Sequence, residues 1–270
     1  MTRLPIYQVD AFTDAVFGGN PAAVVPLDAA LEPALMQAIA AENNLSETAF
    51  IRREGAVWSI RWFTPAVEVD LCGHATLAAG RVVADRLDPG ATHMVFRTRV
   101  AGDLTITRAG DRYTLDLPSR PPQPAPSSAA PPDGLIAALG GPVPQAVLKA
   151  RDWFVVYETA DQVRDLTPNF ERLAAFEDMV IVTAPGPRGE DAGIDFVSRF
   201  FAPGKGIAED PVTGSAHCTL VPYWAERLGR MDLAARQISA RGGHLGCALR
   251  GDRVLLTGGT ALYLEGTIHV

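Results

Sequence analysis

Short apolar runs set off by turn-forming residues dominate this chain, and helix-length patterns are few. Ala22-Ala-Val-Val25, Trp58-Ser-Ile-Arg-Trp-Phe63 and Asp152-Trp-Phe-Val-Val-Tyr157 have the length and the β-branched and aromatic content of strands. The tail from Arg253 to Val270 reads as a hairpin or two adjacent strands. Thr76 to Leu87 is apolar on most faces with its charges gathered at the end, which predicts a helix buried on several sides. Ala216 to Leu228 carries the same pattern with Pro222 inside it. That proline removes a backbone hydrogen bond, so a kink or break costing about 3 kcal/mol is expected there. The class is mixed α and β.

The two helical segments belong to a longer internal repeat. Arg61-Trp-Phe-Thr-Pro65 is echoed by Arg199-Phe-Phe-Ala-Pro203, and Ala84-Asp-Arg-Leu87 by Ala225-Glu-Arg-Leu228. Gly73 and Gly214 each stand 14 residues before the leucine that ends their copy, a shared offset of 141 residues. Upstream the match is looser, with Ala22–Val25 against Phe154–Tyr157 and Thr48–Ile51 against Val180–Thr183. Both copies read as strand, helix, strand, strand, Gly-led helix. Between them, residues 118–134 are dense in proline and poor in anything that could join a ladder or a core, which predicts an extended surface linker. This divides the chain into a half-domain over 1–117 and a second over 135–261.

With 270 residues and 47% hydrophobic content, each half can bury a core of its own. A net charge of -7 gives no electrostatic footprint for nucleic acid or an anionic membrane. No stretch approaches the roughly 18 uninterrupted apolar residues of a membrane span, and the first ten residues lack a continuous apolar signal region, so a cytoplasmic protein is expected. Cys72, Cys218 and Cys247 are too few and too scattered for a disulfide framework or a CxxC metal site. His74, His217 and His244 show no zinc-like spacing, and the Gly-Gly pairs at 18, 242 and 258 match no nucleotide-binding loop. The expectation is therefore no cofactor and no metal.

What remains is local chemistry. A helix start leaves about four backbone N–H groups without an intrahelical partner and behaves as roughly half a positive charge. Two buried, Gly-led starts at Gly73 and Gly214, facing one another across a cleft between the halves, would receive a carboxylate without a basic side chain, with Ser215 adding a hydroxyl. Glu47, at the mouth of the apolar run Thr48–Ile51, can be partly desolvated and so tuned for acid/base work. Alone, each of these residues also has an ordinary role: a solvated strand-end acid, glycines that merely open helices, a capped or core His74, and a turn residue in Asp210 before Pro211.

Gly18-Gly-Asn-Pro-Ala-Ala-Val24, Asn44-Leu-Ser-Glu-Thr-Ala-Phe50, Phe63-Thr-Pro65 with Cys72-Gly-His74, and Glu209-Asp-Pro-Val-Thr-Gly-Ser-Ala216 together resemble the signature segments of the PhzF-like isomerases of phenazine biosynthesis. The resemblance implies an α+β fold similar to diaminopimelate epimerase: two pseudo-symmetric half-domains, each a curled sheet around a central helix, with the last strand, about 262–270, returning to the first half, and a homodimer. It implies Glu47 as general acid/base with His74 and Asp210 beside the reaction, and Ser46, Gly73, Gly214 and Ser215 against a small carboxylate substrate. The related epimerases use two facing thiols. Cys72 fills the first such position, but Thr213 stands at the second, and a hydroxyl cannot replace a thiolate base, so a symmetric two-thiol mechanism is disfavoured. Cys218 is expected to be core packing, and His217 a helix residue near the site or in its wall rather than a ligand. Three functions stay open on this evidence: a proton-moving isomerase, an epimerase or racemase of a small amino or hydroxy acid, and a binding protein that keeps the site without turnover.

Overall fold

The computed structural model describes residues 2–124, 131–187 and 193–270, so positions 125–130 of the Pro-rich segment lie outside the described residues. Two compact units are present, Met1–Leu117 with Leu255–Val270, and Pro118–Val254. The first contains β1 (Arg3–Ala11), β2 (Asn20–Leu27), α1 (Pro33–Asn43), β3 (Glu47–Glu54), β4 (Val57–Phe63), β5 (Glu68–Val69), α2 (Gly73–Val82), β6 (His93–Arg97), β7 (Asp103–Ala109) and β8 (Arg112–Pro118). The second contains β9 (Gln123–Pro124), α3 (Leu135–Leu139), β10 (Ala146–Lys149), β11 (Trp153–Val156), α4 (Ala160–Arg164), α5 (Phe170–Leu173), β12 (Val180–Pro185), β13 (Phe196–Ala202), β14 (Ile207–Glu209), α6 (Gly214–Leu228), β15 (Asp232–Gln237) and β16 (Gly243–Arg250). β17 (Arg253–Gly258) and β18 (Thr260–His269) end the chain.

In unit 1, β18 runs antiparallel to β1 from Arg3↔His269 to Ala11↔Thr260, and β1 pairs antiparallel with β2. β2 is parallel to β3, β3 antiparallel to β4, and β4 parallel to β6. Helix α2 packs against β1, β2, β3, β7 and β18, and all its residues but Arg81 are buried. This is the outcome expected of a segment with no polar face. The helix begins at Gly73 and ends in a π turn, Val83–Leu87, closed by Asp88 N–H on the Val83 carbonyl at 2.8 Å.

Unit 2 repeats the order of pairings: β11 parallel to β12, β12 antiparallel to β13, and β13 parallel to β15. The registers match position by position, with Thr48↔Phe63 and Trp58↔Phe96 in unit 1 against Val180↔Phe201 and Phe196↔Ala235 in unit 2. In each copy the repeated arginine forks onto a glutamate of the next short strand, Arg61 on Glu68 at 2.8 and 2.8 Å and Arg199 on Glu209 at 2.8 and 2.9 Å. The same guanidinium lies over the phenylalanine two residues on, at 5.1 Å for Phe63 and 5.0 Å for Phe201. The looser upstream match needs correction. Ala23↔Thr48 and Trp153↔Val180 make Ala22 equivalent to Asp152 rather than Phe154, a slip of two residues that preserves which face each side chain occupies.

Two further expectations are corrected. Pro222 does not break its helix, because α6 is continuous over 15 residues. The carbonyl that proline leaves without its intrahelical donor is that of Cys218, and it accepts the Arg120 N–H at 2.8 Å instead, which offsets the lost bond. The Pro-rich segment also joins a ladder after all, since Gln123 and Pro124 pair with Lys149 and Leu148.

Gly19 shapes the entry into β2. Its φ is +60°, and a Cβ there would lie 2.1 Å from the Ala11 carbonyl oxygen, so only glycine lets the chain turn back to place Asn20 opposite Ala11. Gly19→Ala is expected to lower stability by about 2 kcal/mol or more, from strain and overlap together, read as a fall in the urea unfolding midpoint.

Candidate active site

Helix α1 ends where Asn44 takes a left-handed conformation, φ 49°, with its N–H on the Ala40 carbonyl at 3.2 Å. Leu45 and a half-buried Ser46 follow, and Glu47 opens β3 opposite Ala22. The Asn43 amide donates to Thr48 Oγ1 at 3.1 Å, tying the helix end to the strand. The Glu47 side chain is thereby held in a shielded place, 12% exposed, with Oε2 3.2 Å from Nε2 of His74, whose side chain is 4% exposed. On the far edge of the ring, His74 Nδ1 lies 3.1 Å from Asn20 Nδ2 and 3.5 Å from Cys72 Sγ. Burial drives the His74 pKa down to about 3, against a weaker opposing pull from the Pro21 carbonyl. The ring is therefore neutral, and its 3.2 Å contact with Glu47 is neither an ion pair nor an aligned hydrogen bond.

His74 is the second residue of α2, and no side chain caps that helix start. The Thr76 hydroxyl folds back on the Cys72 carbonyl at 2.6 Å. The first-turn amides around Gly73 are thus left to a ligand or to water, the usual property of an anion site at a helix end.

Unit 2 holds the other expected residues. Asp210 is 8% exposed and accepts a short hydrogen bond from the Thr213 hydroxyl. Thr213 is the N-cap of α6, but its side chain is committed to Asp210, so α6 too begins without a side-chain cap, at Gly214 and Ser215. Gln237, fully buried, braces this turn: its Oε1 accepts the Thr213 N–H at 2.9 Å and its Nε2 donates to the Asp210 carbonyl at 2.7 Å. Arg151 Nη2 reaches Ser215 Oγ at 3.3 Å while its guanidinium also contacts the buried Asp152 carboxylate, whose pKa burial raises. A basic side chain therefore does stand at this helix start.

His217 is fully buried, and its Nδ1 bonds to the Thr213 carbonyl at 2.8 Å, so that nitrogen is the donor. Burial lowers its pKa to about 4, and it packs beside Phe196 as a structural residue. Cys218 is equally buried, its thiol pushed up to about 11, which removes it from nucleophilic chemistry at neutral pH. None of the three cysteines is in a disulfide. Glu47, Cys72 and His74 place a carboxylate oxygen, a sulfur and a ring nitrogen within 4.8 Å of one another, a donor set that a soft divalent ion such as zinc could use.

The structure thus brings Glu47, His74 and Cys72 together in unit 1, and Asp210, Thr213, Gly214 and Ser215 together in unit 2. Asn20, Gln237 and Arg151 were not singled out from sequence. Asn20 stood inside a recognisable segment, Gly18-Gly-Asn-Pro21, whereas Gln237 and Arg151 carry no signal of spacing or motif.

The family model described as phenazine biosynthesis-like protein, PhzC-PhzF, matches residues 9–266. The chain belongs to this family. An uncharacterized isomerase of Pseudomonas aeruginosa is 50% identical over 270 residues, covering 99% of this chain and 100% of that protein. A PhzF-family protein of Enterococcus faecalis, solved by crystallography, superposes with a TM-score of 0.91 at 42% identity, covering 100% of both chains. A hydroxyproline epimerase from Agrobacterium vitis shares the fold with a TM-score of 0.62 at 10% identity, covering 98% of this chain and 92% of that one. This member of the PhzC-PhzF family is accordingly an isomerase on the epimerase-like α+β fold. No helix among its described residues is long and apolar enough to cross a membrane.

The two buried histidines make stability depend on acid. Their folded pKa values, about 3 and about 4, lie below the ordinary 6.5, so the unfolded chain takes up protons that the fold refuses. The stabilisation is complete above about pH 6.5 and is lost as pH falls, at up to about 1.4 kcal/mol per pH unit for each histidine. Urea midpoints between pH 6.5 and 5 are expected to fall accordingly, with about half that slope in His217→Gln.

Proposed function

We propose that this chain is a cofactor-independent isomerase in which Glu47 carries a proton from one carbon of a small carboxylate substrate to another. The observation that carries the reading is the shielded Glu47 carboxylate, 3.2 Å from a neutral His74 beside an uncapped helix start. In the first half of the reaction a carbon–hydrogen bond breaks, the proton goes to Glu47, and the electron pair spreads toward the substrate's unsaturated or carboxylate end. In the second half Glu47, now the acid, delivers the same proton to a different carbon, so no electron is gained or lost overall. The substrate's acid group is assigned to the first-turn amides at Gly73, and the developing negative charge to those amides and the His74 N–H. Ser46 stands beside the base at the strand entrance. Asp210, Gly214 and Ser215, on unit 2, keep the binding and polarising roles that the family resemblance implies, with Arg151 adding a cation next to Ser215. Three thiols outside any disulfide accord with a reducing, cytoplasmic setting.

An epimerase mechanism in which two groups act on opposite faces of one carbon needs a second base; Thr213, its hydroxyl bound to Asp210, is not one, and in that reading the partner of Glu47 is the Asp210 carboxylate. The two mechanisms separate in heavy water, where a self-returning proton leaves part of the product undeuterated and two-base inversion labels the stereocentre.

The test is a panel of small carboxylic acids bearing an acidified C–H bond, followed by proton NMR for isomer formation. Glu47→Gln should fold normally by circular dichroism and lose about 10² to 10⁴ in turnover, the usual contribution of a general acid/base. Full turnover in that variant would refute the assignment.

A further inference from the structure

The arginine that both units repeat is completed differently in each. In unit 2, Arg199 forks onto Glu209, and its remaining nitrogen, Nη1, donates to the Val163, Arg164 and Leu166 carbonyls at 3.2, 3.3 and 3.1 Å, closing the C-terminal end of α4. In unit 1, Arg61 makes the same fork onto Glu68 and lies over Phe63 in the same way, but its Nη1 has no hydrogen-bond partner among the described residues. Helix α1 stands between β2 and β3 as α4 stands between β11 and β12. It packs on β3 and β4 and leaves a cleft beside Arg61.

The cleft holds about 320 Å³, within the range of about 300 to 1,000 Å³ in which proteins bind small molecules. Its floor is apolar, made by Leu27, Leu31, Met36, Phe50 and Ile60, and its rim is basic, with Arg52, Arg97 and Arg99 beside Arg61. In a chain of net charge -7, four arginines around one apolar hollow reverse the prevailing sign. Three carboxylates answer them: Glu54 meets Arg52, Asp103 forks with Arg97 at 3.1 and 3.1 Å, and Glu68 holds Arg61 and takes Arg99 at 3.1 Å. Four cations against three anions leave one positive charge over. The Arg97 and Arg99 side chains are 56% and 66% exposed, and ion pairs so open to water hold weakly, so both can turn to a ligand. The Thr98 hydroxyl between them is buried and makes no hydrogen bond to a described residue, so a ligand oxygen at this wall would satisfy it. Glu47 is elsewhere: it and Arg52, an odd number of residues apart on β3, face opposite sides of the sheet, roughly 17 Å apart along the strand.

We propose that this cleft is a second ligand site, separate from Glu47, for a small monoanion with an apolar body, an aryl or branched acyl carboxylate. The apolar part lies on Met36 and Phe50. The carboxylate gives Arg61 Nη1 the acceptor oxygens that the α4 carbonyls give Arg199, and Arg97 or Arg99 forks onto the same group. The single surplus charge matches a carboxylate better than a phosphate monoester, which carries nearly two. The inference goes beyond the proposed isomerase chemistry and rests on none of it.

Phenylacetate is the probe. Titrated into the full chain carrying ¹³C-methyl methionine, it should move the Met36 methyl signal, identified by its loss in Met36→Leu, to saturation. Arg97→Gln and Arg99→Gln together, both outside the Arg61 fork, should raise the dissociation constant by about tenfold or more, the usual effect of losing a charge-assisted contact. Glu47→Gln should leave that constant unchanged. Benzyl alcohol, of similar shape without the charge, should bind more weakly, and phenyl phosphate no more tightly. A Met36 signal that does not move, equal binding of benzyl alcohol, tighter binding of phenyl phosphate, an unchanged constant in the arginine variant, or loss of the shift in Glu47→Gln would each overturn the proposal. So would sedimentation in which Arg97→Glu breaks a wild-type assembly into monomers, since that gives the face to a second copy of the chain. The wild-type titrations decide the matter even where a variant does not fold.

Discussion

Removal of water from one imidazole organises the candidate site. His74 sits on a helix that packs on β1, β2 and β3 with almost no exposed surface, where a positive charge would be costly and the neutral ring is favoured. That constraint shapes its surroundings: Asn20 and Cys72 stand at one ring edge, and Glu47, itself shielded, lies 3.2 Å from the other. A charged ring would convert the pair into an ion pair and blunt the carboxylate as a base, so neutrality here is a condition of the proposed chemistry.

The two units share a scaffold and diverge in what they mount on it. The arginine–glutamate forks, the ring beneath each guanidinium and the strand registers are common to both, which marks them as parts of the frame. The N-cap positions differ. In unit 1 the cap residue is Cys72, with its sulfur toward His74; in unit 2 it is Thr213, with its hydroxyl spent on Asp210 and its amide on Gln237. The histidine also shifts along the helix, from the second position in α2 to the fourth in α6, and there it turns to its own backbone. One copy therefore sets its histidine beside Glu47 while in the other the histidine rigidifies a turn, an asymmetry that accords with the proposed one-base reaction.

Much of this was visible in the residues. The repeat anchors were legible because side chains that make bidentate contacts and fill cores tolerate little change, so Arg61 and Arg199 kept their neighbours in step. Glu47 and His74 could be named because they sit in segments that resemble the PhzF-like signatures; composition alone left each an ordinary role. Their partnership could not, since β3 and α2 are brought together only by the sheet. Asn20 lies in a recognisable segment, yet its role is not legible there, because an amide's meaning depends on what faces it. Gln237 and Arg151 were invisible for the same reason. The slip at Ala22 arose where strands share only an apolar character, which fixes the face but not the position. The outcome at Pro222 depended on a donor from residue 120, over a hundred positions away.

That donor has a bearing on how the chain tolerates change. With the Arg120 N–H on the Cys218 carbonyl and the Ser119 N–H on the Asp252 carbonyl at 2.8 Å, the segment after β8 is stitched into the interior of α6 and the turn before β17. A stretch that composition alone would class as a passive tether is, at its first residues, a structural brace. Length variation among descendants of this sequence should accordingly spare positions 119 and 120, and a graft or cleavage there would unsettle the middle of a helix far along the chain before it merely loosened a loop.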